Sequence, residues 1–154
     1  MSSDFIRARL SQDFEDALRA VMTRRVFSRG TVIYEHGVPA AGIYLLETGA
    51  VRVSLPLSGR QSQLLEVVGA GAILGLSESL SGDQYRVNAV AEDTTAACFI
   101  ARKDFAELLD AHHDFCMQVV RLLSDSLHGL YHRFRSVSAH PGRPRRRMLD
   151  EELN

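Results

Sequence analysis

His128 and His132 stand one helical turn apart, a spacing that can present two imidazoles to a single metal ion. No carboxylate or third ligand falls at a matching spacing on that face, so the pair reads as solvated or as flanking a helix partner. Cys98 and Cys116 are too few for a disulfide framework or a four-thiolate zinc or iron–sulfur site. Cys98 lies in a strand-like apolar run and Cys116 on an apolar helix stripe, so both read as packing thiols. The acidic clusters Asp13-Phe-Glu-Asp16 and Asp150-Glu151-Glu152 lack the spacing of an acid–base pair and read as solvated faces. No nucleophile elbow, Walker loop or zincin helix is present. These residue types point away from an enzyme. Arg143, Arg145, Arg146 and Arg147 can touch phosphates, but four charges on an irregular segment give only salt-sensitive, unspecific affinity. The acidic run behind them cancels most of the local field. No sequence-specific DNA binding is expected of this chain alone.

The elements that must carry these residues are bounded by composition. The chain has 154 residues, 45% hydrophobic and 24% charged, one domain's worth of ordinary globular sequence. A formal net charge of -1 argues against a whole-surface nucleic-acid or membrane binder. The N-terminus has no apolar run of signal-peptide length, and no segment approaches the roughly 18 apolar residues of a membrane span. The sequence therefore reads as a reduced, cytoplasmic protein with one core and no membrane partner.

Ser11 can cap a first helix, in which Phe14, Leu18, Val21 and Met22 recur at helical spacing through Arg25. After Phe27 glycines punctuate short β-branched runs: 31–34, 43–46, 51–55, 64–68, 87–90 and 96–100. Such spacing predicts an antiparallel sandwich or barrel. Leu57-Ser58-Gly59-Arg60 marks a hairpin turn. Phe105, Leu108 and Leu109 then form a short amphipathic helix, and His112-His113 marks its join to a long one at about 114–137. On that helix Cys116, Val120, Leu123, Leu127, Leu130, Phe134 and Val137 alternate spacings of four and three, the seam of a coiled-coil homodimer. Phe115, Val119 and Leu122 form a second stripe suited to the chain's own barrel. Residues 1–10 read as an arm and 138–154, rich in Pro, Gly and charge, as a mobile tail.

The ordered glycine frame is what carries a family likeness. Gly30-Thr-Val-Ile-Tyr-Glu-His-Gly37, Ile43-Tyr-Leu-Leu-Glu-Thr-Gly49-Ala-Val-Arg-Val53, Gly71-Ala-Ile-Leu-Gly75, Ser81-Gly82 and Ala97–Phe105, followed by the seam helix, resemble the cyclic-nucleotide-binding sensor domain of the CRP/FNR regulators. The likeness covers about residues 12–137, within a sensor domain set at 11–137. It implies an α+β, mainly β fold: a double-stranded β-helix, or β-roll, of about eight antiparallel strands with an N-terminal helix and a long C-terminal dimerisation helix.

In the family a short helix and its loop cradle a cyclic phosphate, with turn amides, an arginine and a ribose-binding glutamate. The resemblance implies a ligand pocket at Gly75, Leu76, Ser77, Glu78, Tyr85, Arg86, Asn88, Leu130 and Tyr131. Leu76 stands at the glutamate position, Tyr85 at the arginine and Arg86 at the hydroxyl residue after it. Leu130 and Tyr131 stand where the family offers base-contacting hydroxyls. Leucine cannot accept the ribose hydroxyl, and an unpaired hydroxyl in a dry pocket costs about 1–3 kcal/mol. Arg86 is one step along from the arginine position, which in a strand turns the side chain to the other face. Glu78 and Arg86 are the charged groups left, with Ser77, Ser79, Gln84, Tyr85 and Asn88 as neutral polar ones; these last can instead cap the short helix.

The expectation is a dimeric module that senses an unknown, nucleotide-like small molecule but is not a standard cyclic-AMP binder. The alternative is a ligand-free dimerisation or protein-interaction module whose pocket is filled by Leu76, Tyr85 and Tyr131. Some relatives hold haem through histidine or cysteine; His36 and Cys98 are too little for that, and no cofactor is expected. Family regulators continue into a winged helix, whereas here only Ser138–Asn154 follow the seam.

Overall fold

Alternation sets the strands. In Ala50–Pro56 the side chains of Val51 and Val53 are buried while Arg52 between them is exposed, and in Asn88–Ala91 the two alanines are the buried residues. The computed structural model describes residues 10–138, with side chains through residue 125. In chain order the elements are α1 (Gln12–Val21), β1 (Thr23–Phe27), β2 (Val32–Tyr34), β3 (Gly42–Thr48), β4 (Ala50–Pro56), β5 (Ser62–Gly69) and β6 (Ile73–Leu74). They continue as α2 (Leu76–Ser81), β7 (Asn88–Ala91), β8 (Thr95–Ala101), α3 (Arg102–Ala111) and α4 (His113–Ser138). The arm and tail expected at the two ends lie outside the described residues, apart from Leu10 and Ser138.

The strands make two four-stranded sheets, β1-β8-β3-β6 and β2-β7-β4-β5, with every pairing antiparallel. This is the β-roll with flanking helices that the glycine frame implied. Ile33, Tyr34, Tyr44, Leu46, Val51, Val53, Leu74, Tyr85 and Phe99 form the main core. Strand β8 is buried from Thr95 to Ile100 because both faces are covered. Ala97 and Phe99 join the main core, while α1 and α3 pack against the same strand. There Phe14 stacks on Phe115 at 4.4 Å and on Phe105 at 6.5 Å.

The chain divides into two compact units, residues 1–118 and 119–154, with the boundary inside α4. The first unit holds both sheets. The N-cap of α1 ties to the start of α4 within it: Ser11 Oγ accepts the Phe14 N–H at 3.2 Å and the Gln118 amide at 3.0 Å, and the Ser11 N–H donates to Gln118 Oε1 at 2.8 Å. In the second unit α4 continues to Ser138.

The helix expected through Arg25 stops at Val21. The Met22 N–H still bonds to the Leu18 carbonyl, but its ψ of 151° turns the chain extended. Thr23–Phe27 then pairs residue for residue with β8, from Thr23 opposite Phe99 to Phe27 opposite Thr95. Ladder hydrogen bonds to β8 and the β-branched Thr23 and Val26 prevail there over a continuation of α1. The two-residue strand β6 is an addition hidden in a glycine-rich turn, paired with Tyr44 and Leu45. The hairpin at Leu57–Arg60 forms as read, with Gly59 at φ 69° and the Leu57 N–H bonded to the Gln61 carbonyl at 2.8 Å. No helix of the described residues is long and apolar enough to cross a membrane.

Candidate functional site

The cradle begins at Gly75, the N-cap of α2, whose φ of 80° is the left-handed region that only glycine adopts cheaply. Space imposes glycine too: a Cβ there would meet Tyr85 Cε1 at 2.9 Å and the Gly42 carbonyl oxygen at 3.0 Å. The short helix ends on a second left-handed glycine, Gly82, whose N–H bonds to the Glu78 carbonyl.

Tyr85 fills the space against Gly75. It is 2% exposed. The phenol donates to the Gly42 carbonyl at 2.7 Å and accepts the Gly42 N–H at 3.1 Å and the Ala41 N–H at 3.2 Å. Its ring stacks on Tyr34, with centroids 3.9 Å apart and planes 14° from parallel. Its backbone N–H bonds to the Val38 carbonyl and its carbonyl accepts the Gly37 N–H, each at 2.9 Å. One residue thereby joins the 37–41 loop, β2, the first residue of β3 and the start of α2. Burial lifts the Tyr34 phenol far above its ordinary ionisation range, and the nearby Glu78 carboxylate adds to the rise. Burial also raises Tyr85, against the opposing bond to Gly42.

The remaining expected pocket residues separate. Leu76 opens α2 and is half-buried, as are Glu78 and Asn88, whereas Ser77 is exposed. Glu78 Oε2 accepts the Arg86 backbone N–H at 3.3 Å. The Arg86 guanidinium turns away to Asp83 at 3.2 Å, a pair 66% and 52% exposed. That bond and the Ser81 hydroxyl, the larger cause, hold the Asp83 carboxyl below its usual range. Arg86 lies in a bend ahead of β7, not inside a strand, so the neighbour of Tyr85 faces solvent by a turn of the chain. Asn88 Oδ1 accepts the His36 N–H at 2.8 Å. Gln84 forms an isolated bridge to Pro39. Ser79 is 4% exposed, and its hydroxyl has no hydrogen-bond partner among the described residues.

Leu130 and Tyr131 lie on α4, but their side chains fall outside the described residues, as do those of Leu127, Phe134, Val137, His128 and His132. Of the expected seam, Cys116 and Leu123 are half-buried and Val120 is 49% exposed. Tyr34 and Gly42 are cradle residues that sequence reasoning missed. Tyr34 sits in an apolar run next to buried Ile33, and no periodicity separates a packing tyrosine from one that props a site.

Among the described residues no three His, Cys, Asp or Glu side chains gather as metal ligands. Cys98 is buried, and burial with the neighbouring Glu47 pushes its thiol up, the behaviour of an inert packing cysteine. It lines an apolar groove beside α1, away from the cradle, with Leu18, Met22, Leu45, Leu46 and Gly71.

Known proteins share this architecture. The computed structure overlays the Thermus thermophilus catabolite activator protein with a TM-score of 0.71 at 23% identity, over 84% of this chain and 61% of that one. The sensor domain of the transcriptional regulator DNR from Pseudomonas aeruginosa matches with a TM-score of 0.67 at 18% identity, over 87% of this chain and 86% of that one. A curated relative, glutaminase 1 of Bradyrhizobium diazoefficiens, is 31% identical over 119 residues, 77% of this chain but 18% of the glutaminase. The chain thus spans a minor part of that protein and about three-fifths of the activator. The profile of the cyclic nucleotide-binding domain matches residues 24–112, from β1 through the cradle to the end of α3. With the β-roll, the left-handed glycine at the cradle and that match all in one stretch, the chain belongs to the cyclic nucleotide-binding domain family.

Proposed function

We propose that the chain is the sensing module of a CRP/FNR-type regulator, a cytoplasmic homodimer through α4, whose cradle is not built for cyclic AMP. It acts without catalysis and without a resident cofactor, answers a small-molecule effector, and does not read DNA sequence by itself. The observation that carries this reading is the position of Tyr85. Its ring packs on Tyr34 and its hydroxyl bonds to Ala41 and Gly42, where the family's phosphate-binding arginine is expected. Leu76, next to Gly75 at the start of α2, offers no acceptor for a ribose hydroxyl. The same ring favours a second reading, a dimerisation module whose cradle is permanently occupied by its own side chains.

Calorimetry with cyclic AMP tests the first reading. The unmodified chain should bind no tighter than about 0.1–1 mM, equivalent to roughly 4–5.5 kcal/mol. A Leu76→Glu, Tyr85→Arg double variant should bind measurably tighter. Micromolar binding by the unmodified chain would refute the reading. Thermal-shift screening with nucleotides and organic acids separates the two alternatives, because a permanently filled cradle gives no stabilisation with any of them.

A further inference from the structure

The cradle differs from an anion site in a way that neither Leu76 nor Tyr85 accounts for. From Leu76 to Asn88 the charged side chains are Glu78, Asp83 and Arg86. Arg86 and Asp83 pair with each other in solvent, each more than half exposed. The other nearby cation, Arg102, is spent at the far end of α2: its Nε donates to the Ser79 carbonyl at 3.0 Å, and its guanidinium covers Gly82. Glu78 is the half-buried one. Its carboxylate takes the Arg86 N–H and sits near enough to the Tyr34–Tyr85 stack to oppose a negative charge on either phenol. Among the described residues no cation lies within ion-pair distance of it.

We infer that Glu78 is a specificity-determining residue of this cradle, one that bars anionic ligands and leaves it to neutral or cationic effectors. The inference rests on the reading of the cradle as the ligand site. A cyclic phosphate placed against α2 would bring its charge beside the Glu78 carboxylate, and like charges so placed repel. The Arg86 N–H, a backbone donor in the same cradle, is already occupied by the Glu78 oxygen. Restoring the arginine and the ribose glutamate therefore removes only part of the barrier.

The experiment is calorimetry with cyclic AMP on the Leu76→Glu, Tyr85→Arg variant, alone and with Glu78→Gln or Glu78→Ala added. Glutamine keeps a carbonyl oxygen for the Arg86 N–H and loses only the charge, so it separates electrostatics from space. Both triple variants should bind at least about tenfold tighter than the double variant, and the gain should shrink as salt is raised. A gain with alanine alone would make the effect steric and overturn the inference; so would equal affinities, or no binding by any variant. Glu78→Gln in the otherwise unmodified chain keeps the two readings apart. If the unmodified chain binds cyclic AMP at micromolar levels and Glu78→Gln still tightens it tenfold, the role of Glu78 stands while the proposed function falls.

Discussion

Tyr85 concentrates several constraints in one side chain. The resemblance sets it opposite the family's arginine, in the register that the glycine frame gives from Gly71 to Ala91. Its partners were not legible in the sequence. Ala41 and Gly42 lie more than forty residues away, and nothing in a local pattern says that their amides need a phenol. Tyr85→Phe keeps the stack on Tyr34 but leaves the Ala41 and Gly42 amides and the Gly42 carbonyl without that hydroxyl. It should cost about 1–3 kcal/mol in urea unfolding, through unpaired buried groups and not through lost packing. A change within a few tenths of a kcal/mol would mean that water replaces the hydroxyl. The two tyrosines also set an alkaline limit. Both phenols are raised in the folded state, chiefly by burial, so the stability they contribute is complete below the unfolded value of about 10 and is lost as pH climbs through the folded values. Followed by phenolate absorbance, at least two tyrosines should ionise only as the chain unfolds. Smooth titration of all four tyrosines in a folded protein would contradict this burial.

At the scale of elements, the parts that read correctly are those whose signal is local. Glycine punctuation and β-branched runs located β2, β3, β4, β5, β7 and β8, and apolar spacing located α1, α3 and α4. The parts that did not are set by partners. Strand β1 exists because β8 offers it a ladder, and β6 is two residues whose pairing with β3 no window can detect. The start of α1 combines both kinds. Ser11 is a recognisable cap, but Gln118, 107 residues away, holds it on two sides. Ser11→Ala should therefore cost about 1 kcal/mol from the cap itself, with an added penalty for the half-satisfied Gln118 amide. Combining it with Gln118→Ala should cost less than the two single changes summed, since they share one network. Additive losses in denaturant titrations would show that the link contributes nothing beyond the cap.

For the whole molecule the open term is assembly, and the physics of α4 argues it. A helix with an apolar residue at every third and fourth position needs a partner along its length. Val120, on that seam, is 49% exposed in the single chain, and Met117 beside it is 41% exposed. A net charge of -1 gives little long-range repulsion between copies to oppose pairing. The alternating spacing of Cys116, Val120, Leu123, Leu127, Leu130, Phe134 and Val137 fits a parallel pair, in which each residue meets its own counterpart. Symmetry then makes the test severe, because one substitution introduces two facing carboxylates in a desolvated seam. Leu127→Glu or Leu130→Glu should give a monomer in sedimentation or light scattering, and should do so at high salt as well, since the cost is chiefly desolvation and not long-range charge. Arg121→Glu, an exposed position off the seam, controls for the added charge and should leave the dimer intact. A dimer that survives both leucine substitutions would place the contact on another surface.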